Sequence, residues 1–219
     1  LHRTIRAGPT LQPYTAVVAR EKLNQLKARF GPAIQRADLP ADDRLYLLVE
    51  PTAMSDICQC LFQEPQARYI VGIGADDRPH SGSFLVAHNF AYDADHLLGS
   101  VMTYLPADHP ALPSIAQHVP AANWSEREFR DLVGIEPVGH PFPKRLILPD
   151  GWPENAHPLR KDQPWNEVPA GYDADREFAF DNPPDGCVVV PFGPFHPTLD
   201  EPAHFRLYVE GEVVRGCEY

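Results

Sequence analysis

Apolar side chains early in the chain recur every three or four residues in two stretches, which is the period of an amphipathic helix. In residues 15–30 the apolar positions follow Thr15, which suits a helix N-cap, and they end at Gly31. In residues 51–62 they follow Pro51, which suits the first position of a helix. We therefore predict two helices in the first third of the chain.

Four further stretches are rich in β-branched, aromatic and other apolar side chains, which predicts strands. They are residues 44–50, 68–74, 83–92 and 96–105. The last two flank a short polar turn and form the clearest hairpin signal in the chain. Because several strands follow one another without helices between them, we predict an α+β fold. Its sheet is expected to be mixed and partly antiparallel with flanking helices, and not doubly wound.

Two more helices are predicted in the middle of the chain, a short one in residues 114–119 and a longer one in residues 125–133. Ser125 and Glu128 have the spacing of a capping box at the start of the longer helix. Gly134 stands where a left-handed C′ residue would end it.

Proline dominates the rest of the chain, since 14 of the 25 prolines lie between Pro137 and Pro202. Proline lacks an N–H group and interrupts helices and central strands, so a Pro-rich extended arm or linker is predicted up to about residue 184. The β-favouring runs at residues 188–190 and 204–209, the second followed by a polar turn and two valines, predict a C-terminal β-hairpin.

The net charge of −11 argues against a nucleic-acid-binding protein and against broad contact with an anionic membrane surface. The sequence has no run of about 18 apolar residues, so no membrane span is predicted. The cysteines lack the spacing of a secreted disulfide framework, and a reducing cytoplasm is the expected setting. They are Cys58, Cys60, Cys187 and Cys217.

The sequence contains none of the common enzyme signatures, such as HExxH, a P-loop, GxSxG or paired CxxC motifs. The stretch at residues 72–74 resembles the start of a dinucleotide fingerprint, but it lacks the third glycine and the following helix. The ten histidines are scattered. We therefore predict no metal site and no catalytic residue in this chain.

Residues 126–131 contain five charged side chains, which two interpretations explain. They form either the solvated face of a helix, with ion pairs such as Glu126–Arg130, or a polar network at an interface beside residues 139–141. Composition alone favours the solvated face.

The order of the residues around this segment changes the balance in favour of the second interpretation, a polar network at an interface. Four pieces follow one another: Trp-Ser-Glu-Arg-Glu at 124–128, Asp-Leu-Val-Gly-Ile at 131–135, Gly-His-Pro at 139–141 and Lys-Arg-Leu-Ile-Leu-Pro-Asp at 144–150. Together with Pro-Leu-Arg-Lys-Asp at 158–162, this order resembles the signature of the 30 kDa subunit family of respiratory complex I. The usual leucine after Gly-His-Pro is replaced by Phe142-Pro143, so the local turn is expected to differ.

This resemblance implies a subunit of the hydrophilic arm that carries no cofactor and supports a neighbouring 49 kDa-type subunit near the place where electrons reach quinone. It implies a family domain at residues 15–162. The signature and interface residues would be Glu126, Arg127, Glu128, Asp131, Gly134, Gly139, His140, Pro141 and Arg145.

A second resemblance begins at Val-Pro-Phe-Gly-Pro-Phe-His-Pro, residues 190–197, and continues with Asp-Glu-Pro-Ala-His-Phe-Arg-Leu, residues 200–207. These pieces look like the start of the large subunit of nickel–iron hydrogenases of the formate hydrogenlyase type, in which the two modules are fused in this order. The resemblance implies a Pro-rich linker at 163–187 and the truncated N-terminal β segment of the large-subunit module at 188–219.

The loop of that second module lies beside an active-site or quinone-site cavity in the family it resembles. Its matching positions are Gly193, Pro194, His196 and Pro197. Glu201, together with His196, is a candidate for a proton route, and a structural anchor of the hairpin is the competing interpretation.

The sequence thus predicts the N-terminal scaffold part of a fused subunit in a membrane-associated oxidoreductase. This part is expected to be inactive and free of cofactors, with a nickel–iron centre in the full-length chain. Other subunits, including an iron–sulfur small subunit, would hold it at the inner face of the cell membrane. The alternatives are a 30 kDa subunit of NADH:quinone oxidoreductase with a short tail, and a cofactor-free structural interaction domain.

Overall fold

The computed structural model describes residues 13–64, 67–164, 166–176, 180–195 and 203–218. The chain divides into two compact units, Leu1–Ala174 and Asp175–Tyr219. None of the described helices is long and apolar enough to cross a membrane.

The described part of the first unit contains the helices α1 (Pro13–Phe30), α2 (Met54–Phe62), α3 (Arg78–Ser81) and α4 (Ala122–Val133). Its strands are β1 (Ile34–Ala41), β2 (Arg44–Val49), β3 (Ala67–Asp76), β4 (Phe84–Tyr92), β5 (Leu97–Leu105), β6 (Ala111–Pro113) and β7 (Glu136–Val138).

Five of these strands form one sheet in the order β1-β2-β5-β4-β3. Strands β2 and β5 are parallel and the other neighbours are antiparallel, which confirms the predicted mixed α+β fold. In the β4–β5 hairpin Phe84 pairs with Leu105 and Tyr92 with Leu97. The two apolar stretches on either side of a polar turn therefore predicted this hairpin correctly.

One face of the sheet carries the core, because alternate residues of β2, β4 and β5 are buried against the helices. Helix α2 buries its apolar face there, including Met54 and Ile57. The register places a second apolar row on the opposite face, and this row is partly exposed. The row consists of Leu48, Met102, Ala87 and Ile73.

The predicted capping box at Ser125 is wrong, because α4 begins three residues earlier, at Ala122. Ser125 lies inside the helix, and its hydroxyl accepts a hydrogen bond from the backbone N–H of Gly72 on β3 at 3.1 Å. The predicted left-handed end at Gly134 is confirmed by its φ of 76°. The predicted helix at residues 114–119 is a single turn in which the N–H groups of His118 and Val119 bond to Ile115 O.

Three strands were not predicted. Strand β1 contains Pro40 and two register shifts against β2, so its alternation is broken. Strands β6 and β7 have three residues each and form a small parallel pair, which is too short to leave a periodic signal. After β7 the described residues form turns without helices or strands up to residue 176, as the proline content predicts. We call residues 139–164 the arm.

The second unit is a three-stranded antiparallel sheet in the order β10-β9-β8. Its strands are β8 (Val188–Phe195), β9 (Ala203–Glu210) and β10 (Val213–Glu218). The predicted C-terminal hairpin is therefore confirmed as β9–β10, with Gly211 at its tip in a left-handed conformation. Every residue of β8 is exposed. The predicted domain boundaries at 162 and 187 stay predictions.

Candidate functional site

Helix α4 buries three charged side chains, Glu126, Arg127 and Asp131. A buried charge is costly unless it is paired or fully hydrogen-bonded, so the partners of these groups indicate what the helix holds. The solvated-face interpretation of residues 126–131 is wrong for these three side chains. Glu128, on the same helix, is exposed.

The Glu126 carboxylate anchors the loop that follows β6. It accepts a hydrogen bond from the Ser114 hydroxyl at 2.5 Å and another from the Ile115 N–H at 2.7 Å. Burial raises the pKa of Glu126 to about 6, and the hydrogen bonds from Ser114 and Ile115 oppose this shift. The predicted pair with Arg130 is wrong, because Arg130 bonds to Glu136 instead.

The Gly-His-Pro turn lies beside Glu126. The His140 Nδ1 accepts a hydrogen bond from the Phe142 N–H at 3.0 Å, so the proton is on Nε2, which donates to Asn123 O at 3.2 Å. Burial lowers the pKa of His140, which keeps the ring neutral near pH 7. Gly139, which precedes it, has a φ of 78° and accepts a hydrogen bond from the Gln117 side chain. The turn ends at Pro141.

Arg127 and Asp131 lie one helical turn apart, and both bind the main chain of the arm. Arg127 does so as a hydrogen-bond donor and Asp131 as an acceptor. The Arg127 guanidinium donates to the carbonyl oxygens of Lys144 at 2.8 Å and Arg145 at 2.7 Å. The Asp131 carboxylate accepts from the N–H groups of Leu146 at 2.8 Å and Ile147 at 2.9 Å. The arm therefore has a fixed path although it has no helix or strand of its own.

Arg145 also fixes the path of the arm by its side chain. Its guanidinium donates to Trp152 O at 2.8 Å and pairs with Glu154 at 2.8 Å. A cavity of about 230 Å³ lies between this side chain and the end of α4. Because Arg130 and Glu136 pair on its other side, the charges that line the cavity are largely neutralised within the protein.

A second anchor, centred on Asp76, was not predicted from the sequence. Its carboxylate has no exposed surface and binds the Arg78 guanidinium at 2.6 and 2.8 Å and the Lys161 N–H at 2.8 Å. The hydrogen bonds from Arg78 hold the pKa of Asp76 well below its usual range. The Asp162 carboxylate pairs with the same arginine at 3.0 Å. The only sequence signal for this anchor was the Arg-Lys-Asp ending at residues 160–162.

Arg160 caps the end of α4. Its Nε donates to Val133 O at 2.8 Å and its Nη2 to Gly134 O at 3.3 Å. A Cβ on Gly134 would lie 2.4 Å from the His157 ring and 2.5 Å from the Arg160 guanidinium, so only glycine fits here. The left-handed glycine therefore serves both the helix end and the close approach of the arm.

The predicted loop of the second module is only partly described. Gly193 has a φ of 119°, and a Cβ there would lie 2.7 Å from Ala203 O, so the strand requires glycine beside Pro194. His196, Pro197 and Glu201 lie outside the described residues, and their predicted roles stay predictions. Within the described ranges, no group of three or more His, Cys, Asp and Glu side chains could hold a metal ion.

Comparison with known proteins gives a family match and several relatives. The model of the respiratory-chain NADH dehydrogenase 30 Kd subunit family matches residues 47–169. The chain is 36% identical over 200 residues to hydrogenase-4 component G of Escherichia coli (strain K12), which covers 90% of this chain and 36% of the relative. It is 35% identical over 211 residues to formate hydrogenlyase subunit 5 of the same organism, with 92% and 37% covered.

The chain thus spans little more than a third of the length of these two relatives. Among solved structures, it resembles a chain of the membrane-bound sulfane sulfur reductase, an archaeal respiratory membrane complex, with a TM-score of 0.56. The match covers 66% of this chain and 85% of that chain at 19% identity, so it shows a shared fold.

Proposed function

We propose a scaffold function for this chain, which belongs to the 30 kDa subunit family of the respiratory-chain NADH dehydrogenase. In this proposal the chain positions a catalytic module within a complex-I-related oxidoreductase of the hydrogenase type. It takes no part in the chemistry itself. Its partners are other subunits of that complex, including an iron–sulfur small subunit, at the inner face of the cell membrane.

The observation that carries the proposal is the arm held by buried charges. Arg127 and Asp131 bond to the backbone of the arm and leave several of its apolar side chains outside. Phe142, Ile147 and Leu159 are each about half exposed. An irregular segment with a fixed backbone and outward apolar side chains is pre-organised for contact with a partner, because its ordering entropy is lost before binding.

The names of the relatives support the hydrogenase type. Their matches cover nine-tenths of the chain and so include residues beyond 169, where the family model ends. We propose that residues 188–219 begin the large-subunit module of a longer fused chain. A nickel–iron centre would lie in the remainder of that chain, and the proton route through His196 and Glu201 belongs to the same proposal.

A 30 kDa subunit of NADH:quinone oxidoreductase is the second candidate, favoured by the description of the matching family. A cofactor-free interaction domain is the third. The gene beyond Tyr219 separates them. Cysteine pairs near both ends of the extension would establish the hydrogenase type, a stop codon would favour the quinone-linked subunit, and a large-subunit module without those cysteines would favour the third.

The scaffold function is tested by Arg127→Ala in the intact complex. The change removes two hydrogen bonds from a charged donor to the arm, each worth about 1.5–3 kcal/mol. We expect the yield of assembled complex to fall at least about tenfold, while the complexes that do assemble keep the metal content and turnover of the unchanged protein.

Arg20→Ala is the matched control, because Arg20 lies on the exposed side of α1. It should leave the yield of complex unchanged. A normal yield of Arg127→Ala complex with impaired electron transfer would contradict the scaffold function and would place Arg127 in the redox chemistry.

A further inference from the structure

The two edges of the five-stranded sheet are built differently. Strand β1 at one edge contains Pro40, the charged side chains Arg36 and Asp38, and two register shifts. Proline, charge and bulges are the usual means by which a sheet edge is kept from pairing with another strand. This edge is therefore protected.

Strand β3 at the other edge has less of this protection, because its single register shift lies near its start, between Tyr69 and Val71. It has ten residues and no proline, and Val71–Asp76 pairs with β4 in unbroken register. Ile70 is 41% exposed and Ile73 50% exposed. Its charged residues stand only at its ends, where Arg68 pairs with Asp93 and Asp76 is buried. An open, apolar edge of this kind is a template for another strand.

The orientation of the β3 backbone supports the interpretation of this edge as a template for another strand. The Gly72 N–H points away from β4, since it donates to the Ser125 hydroxyl on α4. In an antiparallel pair the N–H and C=O groups of a residue point to one side and alternate along the strand. Gly74 therefore directs its N–H and C=O toward the same free edge. Among the described residues β3 pairs with β4 alone.

A groove of about 150 Å³ runs between this edge and α4. Gly72 and Gly74 form one wall, and Phe129 and Leu132 of α4 form part of the other. The exposed carboxylate of Glu128 stands at its margin. The groove thus combines the outward main-chain groups of Gly74, an apolar floor and one negative charge, while the Gly72 N–H is already bonded to Ser125.

We infer that an extended segment of a neighbouring subunit pairs with β3 as a sixth strand of the sheet. Main-chain hydrogen bonds would hold it, an aliphatic side chain would enter the groove, and a basic side chain would face Glu128. The inference rests on the proposed scaffold function and names the chemistry of one of the partner segments. The arm contributes one side chain, Leu159, to the lining of this groove.

Hydrogen–deuterium exchange of the purified complex and of this chain alone tests the inference. We expect the amides of residues 70–76 to exchange at least about tenfold more slowly in the complex. Glu128→Arg and Ile73→Lys should each remove this protection, the first by charge repulsion and the second by placing a charge against the added strand.

Tyr104→Lys is the control, because Tyr104 is exposed to a similar degree on β5, on the same face of the sheet as Ile73 and away from the edge. It should leave the protection intact. Loss of protection with Ile73→Lys and Tyr104→Lys but not with Glu128→Arg would show docking on the face of the sheet and overturn the inference.

Equal exchange of residues 70–76 in the complex and in the free chain would also overturn it, with the scaffold function intact. A chain that copurifies with no other subunit would instead contradict the scaffold function itself, and the inference would fall with it.

Discussion

At the residue scale, the buried carboxylate of Glu126 links the stability of the first unit to pH. Burial raises its pKa to about 6 in the folded protein from an ordinary value of about 4.5. The folded state therefore binds a proton more tightly than the unfolded state. The contribution of Glu126 to the stability of the folded protein is fully present below about pH 4.5 and is lost as the pH rises through about 6.

Glu126→Gln should remove this dependence. We expect the unchanged protein to gain roughly 1–2 kcal/mol of unfolding free energy relative to the variant when the pH falls from 7.5 to 4.5. Urea unfolding at the two pH values measures it. Burial lowers the pKa of His88 to about 3, which acts in the opposite direction, but His88 is present in both proteins and cancels in the comparison. A free-energy difference independent of pH would show that Glu126 titrates normally.

The sequence singled out charged residues of α4 but did not predict what they contact. Glu126, Arg127 and Asp131 were identified by a resemblance, and the charges alone suggested a solvated surface. Their partners are mostly main-chain groups in segments 11–18 residues away along the chain. Main-chain groups are the same in every sequence, so no residue type could have predicted these bonds.

At the element scale, two glycines allow α4 to pack closely on β3. A Cβ on Gly74 would lie 2.4 Å from the Cβ of Phe129, and one on Gly72 would lie 3.0 Å from the Cβ of Ser125. Side chains on both elements would have to shift before a larger residue could be accommodated. The Gly-Ile-Gly stretch that resembled a nucleotide fingerprint thus has a packing role.

Gly74→Ala is expected to lower the free energy of unfolding by about 1–3 kcal/mol, because it separates α4 from the sheet. Gly99→Ala is the matched control in β5, where an added Cβ would meet only an ordinary contact with Tyr92 at 3.7 Å. Chemical denaturation of the two variants gives the comparison. Equal losses of stability would mean that the strand environment, and not the helix contact, sets the cost.

Elements with a regular period were predictable and the others were not. The β4–β5 hairpin was visible because two strands of nine residues, both rich in apolar side chains, flank a short polar turn. Strand β1 was hidden by Pro40 and its bulges, since its pairing depends on β2 more than on its own pattern. The start of α4 was misplaced because Ser125 looks like a cap in sequence while its hydroxyl bonds to β3.

At the scale of the whole molecule, the two units differ in how much apolar surface they bury. The first has a continuous core that includes Phe84, Phe90 and Ile135. In the second, Tyr208 is the single buried hydrophobic side chain among the described residues. A three-stranded sheet needs a covered apolar face for independent stability.

The fragment Leu1–Ala174 should therefore unfold cooperatively on heating, and the fragment Asp175–Tyr219 should show no cooperative transition. Circular dichroism of the two purified fragments measures this. A sharp transition in the shorter fragment would show that its three strands are stable without further packing.

The way α4 holds the arm has a consequence for sequence variation. Arg127 and Asp131 contact carbonyl and N–H groups of residues 144–147, so these bonds do not depend on which side chains the arm carries there. Proline is the exception at positions 146 and 147, because it has no N–H to donate to Asp131. Homologues can therefore exchange the outward side chains of residues 144–147 to match a different neighbouring subunit, while α4 keeps the same hydrogen bonds to the main chain of the arm.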